Sequence, residues 1–358
     1  MSRYLMVDIG AGTMDVLWYD TEAELHFKAV VQSPVRHLAE KAAELSGNLL
    51  ISGTEMGGGP ITTILKERAK NAAVVMSVSA AATLHHNPTQ VRSWGIDIVE
   101  DTKIEDFHRD GNYSHLVVGD LEVERLRRIV EGFGVIFEFD AVAICAQDHG
   151  VPPVGVSHLD YRHNMFQSRL KEKPYPHGLL DRSDEVPREM NRLSSIAQTA
   201  CAIPTEEIYV MDSGMAAILG GAMDVLAHNK ERVVILDVAT SHTVAAAVYG
   251  DEIAGFFEYH TADITLDRLE DLLVELCDGK IEHSRILAEG GHGAYLRTAI
   301  EFQDVEVIIA TGPKRRLVVP AKFPIVFGAP LGDNMMTGTV GLLEALRRRK
   351  GLGPINYL

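Results

Sequence analysis

The chain has 358 residues, of which 34 are Lys or Arg and 50 are Asp or Glu, giving a formal net charge of −16. At about 150 residues per domain this length predicts two domains, and a 46% hydrophobic share with 23% charged residues excludes global disorder. The acidic balance excludes a nucleic-acid or anionic-membrane partner unless a basic patch overrides it. The one dense basic run, Arg347-Arg348-Arg349-Lys350, sits at a predicted helix end, where cations complement the helix dipole. No stretch reaches the roughly 18 uninterrupted apolar residues of a membrane span. Asp8 interrupts the start before a signal-peptide core can form, so a cytoplasmic location is expected. Cys145, Cys201 and Cys277 are far apart, which excludes CxxC zinc or redox sites and the clustered cysteines of an iron–sulfur protein. Three buried reduced thiols are expected.

In chain order, alternation predicts a strand from Tyr4 to Ile9, a tight turn at Gly10-Ala11-Gly12-Thr13, and a returning strand from Met14 to Tyr19. A turn at Asp20-Thr21-Glu22 and a strand from Glu24 to Val31 follow. Helix periodicity covers Val35–Leu45 and, capped by Asp120, Leu121–Glu131; short strands fit Asn48–Ser52 and Ala141–Ala146. Residues 147–187, rich in His, Pro and Arg, read as a long-loop insertion, and loops of that length are usually functional or disordered. Helices resume from Ser194, one of them running from Gly214 to Leu226.

At Arg232 the N-terminal plan recurs. Val233–Asp237, the turn Val238-Ala239-Thr240-Ser241-His242, Thr243–Tyr249, Gly250-Asp251 and Glu252–His260 repeat strand, turn, strand, turn, strand, with Asp8 and Asp237 in equivalent places. The repeat implies two similarly folded lobes, residues 1–230 and 231–358, facing one another. A helix at Leu266–Cys277 capped by Thr265, a helix from Ala294, a strand at Val305–Ala310 and a closing helix near Thr339–Arg349 complete the plan.

The segment Asp8-Ile9-Gly10-Ala11-Gly12-Thr13-Met14-Asp15 lies between two strands. A Walker A loop or dinucleotide fingerprint needs a helix N-terminus instead. Glycines in a hairpin let an anion approach the backbone, and Thr13 adds a hydroxyl. An aspartate ending the preceding strand suits a hydrated magnesium ion. Taken alone, a Gly-rich hairpin with no ligand is an equal reading.

With these residues the chain resembles the actin-like ATPase superfamily, which includes actin, the seventy-kilodalton heat-shock chaperones and sugar kinases. Asp8–Asp15 is similar to its first phosphate motif and Asp237–Thr243 to its second. Gly290-Gly291-His292-Gly293-Ala294 resembles its adenosine motif, and Gly332–Gly341 its C-terminal small-residue helix. The order matches and spans nearly the whole chain. The resemblance implies an α/β fold of two ribonuclease H-like lobes with a nucleotide cleft between them. ATP would be held by Gly10, Ala11, Gly12, Thr13, Asp237, Thr240, Ser241, Gly290, Gly291 and Gly293, and Mg2+ by Asp8 and Asp237.

Two segments lean towards the sugar-kinase branch. Gln147-Asp148-His149-Gly150 resembles a segment lining the substrate cleft, which makes Gln147, Asp148 and His149 substrate candidates. Tyr209–Gly214 resembles the segment carrying the catalytic aspartate, a general base that must reach the attacking hydroxyl. Counted from Gly220, that aspartate falls on Ser213. Either a one-residue shift restores Asp212 as catalytic residue beside Asp8, or the base is missing. Ala239 and His242 also depart from the second motif, where glycine and a small residue are usual.

At finer scale the chain is similar to an uncharacterised family labelled as a pyruvate formate-lyase activating enzyme. Radical activases hold an iron–sulfur cluster with clustered cysteines, and none are clustered here.

Other residues carry two readings each. His158, Asp160 and His163, with Asp148, His149 and His177 nearby, suit a zinc, manganese or iron site by residue type but match no ligand spacing, so a substrate-contacting or structural role is the favoured reading. Arg162, Arg169, Lys171 and Lys173 form either a cationic cleft or a solvated loop. Gly57-Gly58-Gly59-Pro60 is an anion site or ordinary helix-start chemistry, and His85-His86 reads as a helix end.

The expected function is Mg2+-dependent phosphoryl transfer from ATP to a small polar metabolite. The rival is an ATP-hydrolysing switch or assembly factor acting on a protein client. A carbonyl-phosphorylating ATPase of the oxoprolinase type and a degenerate member without nucleotide are further alternatives, and a homo-oligomer is compatible with each.

Overall fold

β1 (Arg3–Ile9), β2 (Thr13–Asp20) and β3 (Leu25–Gln32) form an antiparallel meander in which Asp8 pairs with Asp15 across the first hairpin. The structure is a computed structural model and describes residues 2–153 and 155–357. β1 is nearly continuous in apolar residues because both faces of its sheet are covered.

Between the third strand and the return to this sheet, the chain builds a separate layer. It comprises α1 (Pro34–Glu44), β4 (Asn48–Gly53), α2 (Gly59–Arg68), β5 (Val74–Ser77), α3 (Val78–Ala81), α4 (Pro88–Arg92), β6 (Ile96–Val99), α5 (Ile104–Asp110), β7 (Tyr113–Val118) and α6 (Val123–Glu131). Its four strands are all parallel, in the order β6-β5-β4-β7, and enclose their own core around Leu49, Ile51 and Met76. Patterning predicts α1, β4 and α6; β5 and β6, at four residues each, are too short to display a period. Asp120 does not cap α6. Glu122 occupies that position, and Asp120 instead takes two hydrogen bonds from Arg192, at 2.7 and 2.8 Å.

The chain rejoins the first sheet as β8 (Phe139–Ala146), parallel to β1 and buried along nearly its whole length. Then come α7 (His158–Glu172), β9 (Asp181–Arg182), α8 (Asn191–Ala200), β10 (Thr205–Asp212) beside β8, and α9 (Ser213–Ala222). The second sheet contains β11 (Arg232–Val238), β12 (His242–Tyr249), β13 (Glu252–His260), then, after α10 (Leu266–Cys277) and α11 (His283–Ala288), β14 (Gly293–Leu296), β15 (Val307–Thr311) and β16 (Val326–Phe327). The strand orders are β3-β2-β1-β8-β10-β9 and β14-β13-β12-β11-β15-β16. Without the edge strands β9 and β14, both read third, second, first, then two parallel strands. The repeat seen in the sequence is a duplicated fold.

Three expectations are corrected. Residues 147–187 are not all loop. α7 is a 15-residue helix capped by Ser157, whose buried face carries Arg162 and His163 beside Phe166 and Leu170, so a hydropathy period counts half of that face as polar. The chain after Gly293 is not a helix but β14, which pairs Ala294 with Phe257 at the edge of the second sheet. Cys201 is exposed, whereas Cys145 and Cys277 are buried as expected.

α12 (Thr337–Lys350) closes the chain. It does not stay with residues 231–336 but crosses back to pack on β1, β8 and α9. The crossing requires small residues, because a Cβ on Gly220 would lie 1.8 Å from the Thr337 carbonyl oxygen and one on Gly341 would lie 1.8 Å from that of Ala216. The basic run ending α12 is structural. Arg347 and Arg348 pair with Glu344, Arg349 with Glu185 and Lys350 with Glu207.

Candidate functional site

The turns after β1 and β11 face one another across a cleft of about 470 Å3 between the lobes. They are built alike. The Gly10 N–H donates to the Thr13 carbonyl oxygen at 3.0 Å, and the Ala239 N–H to that of His242 at 3.1 Å, so each closes a hairpin over a two-residue tip. The tips meet: a Cβ on Gly12 would lie 2.9 Å from Thr240 Oγ1. Gly10, Ala11, Gly12, Thr13, Thr240 and Ser241 all line this cleft.

Asp8 and Asp237, each next to last in its strand, also line it. Asp8 lies against the start of α12, where a Cβ on Gly338 would fall 2.0 Å from Asp8 Oδ2, so only glycine fits. Burial raises both carboxyls: Asp8 is pushed up further by Asp212, and Asp237 reaches about 7 with Asp8 as its charged neighbour and Thr311 hydrogen-bonded at 3.1 Å. Asp15 is also raised by burial and by Asp8, and its Oδ1 has no hydrogen-bond partner. Three carboxylates crowded this way suit a divalent cation, which would relieve the repulsion and the orphaned oxygen together.

The sequence candidates for acceptor and base separate here. Gln147 and His149 line the cleft, and the Gln147 amide donates to Glu258. Asp148 also reaches it, yet both its oxygens accept backbone N–H groups, from Gly150 at 2.8 Å and Leu193 at 3.0 Å. Asp212 is 2% exposed and does not line the cleft. Its Oδ1 caps α9 by accepting from Gly214 and Met215, and its Oδ2 accepts from Arg162 at 2.9 Å. Ser213 and Gly214 line the cleft in its place.

Gly290 and Gly291 lie in the turn between α11 and β14, Gly293 opens β14, and none of the three is among the cleft-lining residues. The glycines of residues 231–358 that line the cleft are Gly312, after β15, and Gly338, in α12. The segment opens an edge strand rather than the expected helix, and His292 within it lies beside the cleft-lining His149 and His242.

Gly57, Gly58 and Gly59, with His85 and His86, form a wall contributed by the inserted layer. His86 bonds Glu55 at 2.8 Å and stacks on His158. His158, Asp160 and His163 do not converge on a common point. Asp160 pairs with His283 at 3.1 Å, and His163 stacks on the same ring at 3.6 Å. Of the four cations in this stretch, Arg162 reaches the cleft, Arg169 is tied to Asp181, and Lys171 and Lys173 are exposed.

Sequence reasoning missed Glu258, whose signal was a charge inside the apolar strand β13. It is 2% exposed, and although burial raises its carboxyl, Arg162 outweighs that and holds it well below the ordinary range. Sequence reasoning also missed a histidine cluster. His149, His242 and His292 each offer a ring nitrogen within 4.8 Å of the others. Burial and Arg162 lower His149 to about 3, and burial lowers His242 to about 3 against the pull of Glu258. Both are neutral imidazoles at neutral pH.

Duplicated lobes whose first hairpins oppose each other over paired aspartates define the actin-like ATPase fold. More particularly, a family model described as "Putative pyruvate format-lyase activating enzyme (DUF1786)" matches residues 56–317, and the chain belongs to that family. Its cysteines lie on β8, after α8 and at the end of α10, in no arrangement that holds an iron–sulfur cluster. No curated protein matches the sequence. Among solved structures the chain is similar to a protein of actin-like ATPase fold from Bacteroides thetaiotaomicron (8% identity, 96% of this chain and 95% of that one, TM-score 0.36). It is also similar to a ROK hexokinase from Thermus thermophilus (11%, 96% and 98%, 0.34) and to a PilM–PilN type IV pilus biogenesis complex (12%, 98% and 99%, 0.40). Among the described residues, no helix is long and apolar enough to cross a membrane.

Proposed function

We propose that the protein binds ATP with Mg2+ between its lobes and transfers the γ-phosphoryl group to a small polar metabolite. The observation that carries this reading is the pairing of Asp8 with Asp237 behind two hairpin tips that share one hydrogen-bond pattern. Backbone N–H groups of the tips, with Thr13, Thr240 and Ser241, would hold phosphate oxygens, and Asp8 and Asp237 would hold hydrated magnesium. ATP·Mg2+ would supply the transferable phosphoryl group and neutralise its charge, leaving the protein to position and to exclude water. The acceptor would lie against Gln147 and His149. Arg162 and Arg192 line the cleft, each already paired with carboxylates, so they would orient an acceptor by hydrogen bonding rather than as free charges.

One observation favours the second reading, a slow ATPase switch acting on a protein client. Asp212, the candidate base, has both carboxylate oxygens committed to α9 and Arg162.

Calorimetry of ATP binding with and without Mg2+, on wild type and Asp8→Ala, tests the site. Mg2+-dependent binding lost in the variant is expected. No binding at millimolar ATP would overturn both readings. Phosphoryl transfer to a member of a metabolite panel would support the kinase, and hydrolysis indifferent to every acceptor would support the switch.

A further inference from the structure

His149 follows β8 in the N-terminal lobe, while His242 opens β12 and His292 precedes β14 in the C-terminal lobe. Their rings come together with centroids 4.8 to 5.9 Å apart. Among the described residues, this is the one group of three or more His, Cys, Asp or Glu side chains that converges well enough to hold a metal ion. Two of its nitrogens, His242 Nε2 and His292 Nδ1, are buried without a hydrogen-bond partner, and the His292 side chain is 7% exposed. A buried imidazole nitrogen without a partner is costly and calls for a ligand. Glu258 does not serve as one, since it lies 3.6 Å from His292 Nδ1, beyond hydrogen-bond reach, and is held by Arg162 and Gln147. His260 packs behind the cluster, its ring 4.5 Å from that of His242 and 4.3 Å from that of His292.

We propose that His149, His242 and His292 form a site for a divalent transition metal of the zinc class, bridging the two lobes with a coordination position open to the cleft. An all-imidazole donor set selects zinc, iron or nickel over magnesium, so the site is distinct in chemistry from the carboxylates Asp8 and Asp237. Three protein ligands with one position left open is the pattern of zinc centres that bind water or a substrate oxygen rather than purely structural ones. Ligand nitrogens about 2.0–2.1 Å from zinc stand roughly 3.4 Å apart, so nitrogens now within 4.8 Å need to close by up to about 1.4 Å. His149 and His242 line the cleft directly, which aims the open position at an oxygen-donor ligand such as a carboxylate or hydroxyl of a small molecule. Because the ligands come from both lobes, the metal would also hold the lobes at a fixed distance. The site stands independently of the nucleotide reading.

The test uses full-length, chelator-washed protein without nucleotide or Mg2+, titrated with Zn2+, with retained metal measured by elemental analysis after gel filtration. One tightly held equivalent is expected, weakened at least about tenfold in both His149→Gln and His242→Gln. His163→Gln, outside the cluster, should bind as wild type does. Protein loaded with Co2+ should show visible ligand-field absorption that the two cluster variants lose, and circular dichroism confirms that they fold. With 15 histidines in the chain, retention alone does not decide the matter. One equivalent held equally well by both cluster variants overturns the proposal, as does retention of no stoichiometric metal by wild type. Neither result bears on ATP binding, which is measured separately.

Discussion

Arg162 Nη2 donates to Asp212 Oδ2 at 2.9 Å in the interior, with the two side chains 7% and 2% exposed. The same guanidinium reaches Glu258 on β13 through Nη1 and the Asp148 carbonyl oxygen through Nε, at 3.0 Å for the latter. One residue of α7 thus ties the end of β10 to the opposite lobe. Removing the arginine would leave two buried carboxylates uncompensated, a far larger cost than losing a surface ion pair, whereas removing one carboxylate leaves Arg162 paired with the other.

Asp212→Asn is expected to destabilise the protein by about 1–3 kcal/mol, because Glu258 still neutralises Arg162 while one buried charge-assisted hydrogen bond is lost, measured by urea unfolding. The amide oxygen can still cap α9, so the loss would report the Arg162 contact, where an amide NH2 cannot accept from the guanidinium. An Asp212→Asn protein of wild-type stability without phosphoryl transfer would instead make Asp212 the reacting base.

Gly338→Ala places a methyl where Asp8 Oδ2 stands, 2.0 Å from the ideal Cβ position. A destabilisation of about 1–3 kcal/mol is expected as α12 or Asp8 shifts, together with loss of Mg2+-dependent ATP binding. Gly341→Ala, which meets the backbone of α9, should destabilise more. ATP calorimetry on the folded fraction of each variant separates the two effects.

Saturating ATP·Mg2+ should raise the unfolding free energy by about 2.7 kcal/mol at a hundredfold excess over Kd. Differential scanning calorimetry reads this as a rise in Tm. Asp237→Asn should abolish the rise without lowering the Tm of the ligand-free protein, because it relieves crowding among buried carboxylates.

Glu344 anchors the C-terminus, accepting from Arg347, from Arg348 at 2.6 Å and from the Tyr357 hydroxyl at 2.9 Å. Burial raises its carboxyl, but the two arginines outweigh burial and hold it below its ordinary value of 4.5. Its contribution is full above pH 4.5 and is lost as pH falls through the lowered value. The stability gap between wild type and Glu344→Gln, about 1–3 kcal/mol at neutral pH, should shrink steadily below pH 4.5. A gap constant with pH would refute the linkage.

Cys201 is exposed and Cys145 and Cys277 are buried. Burial raises the Cys277 thiol to about 12 and raises that of Cys145 well above its ordinary value. A native-state thiol titration should modify Cys201 alone, and Cys201→Ser should leave no fast-reacting thiol.

The duplicated meanders were legible because their information is local. Strand alternation, hairpin glycines and the placement of Asp8 and Asp237 repeat within short windows, and each window folds as its pattern predicts. The closing helix and its basic run were legible for the same reason. α7 was not, because Arg162 and His163 on its inner face are buried against partners that only the topology brings near: Asp212, Glu258 and His283. The four-stranded insertion was largely illegible because its strands are short and parallel, and their pairing is non-local.

By itself, the amino-acid sequence determined two related lobes, the paired hairpins over Asp8 and Asp237, and an acidic chain without clustered cysteines. Tertiary structure alone decided that Asp212 is locked to Arg162, that Gly293 opens an edge strand rather than preceding a helix, and that His149, His242 and His292 meet. The physical reason is range. Backbone geometry and hydropathy act over a few residues, whereas buried charge pairs and ligand clusters depend on how distant strands are stacked, which no single window contains.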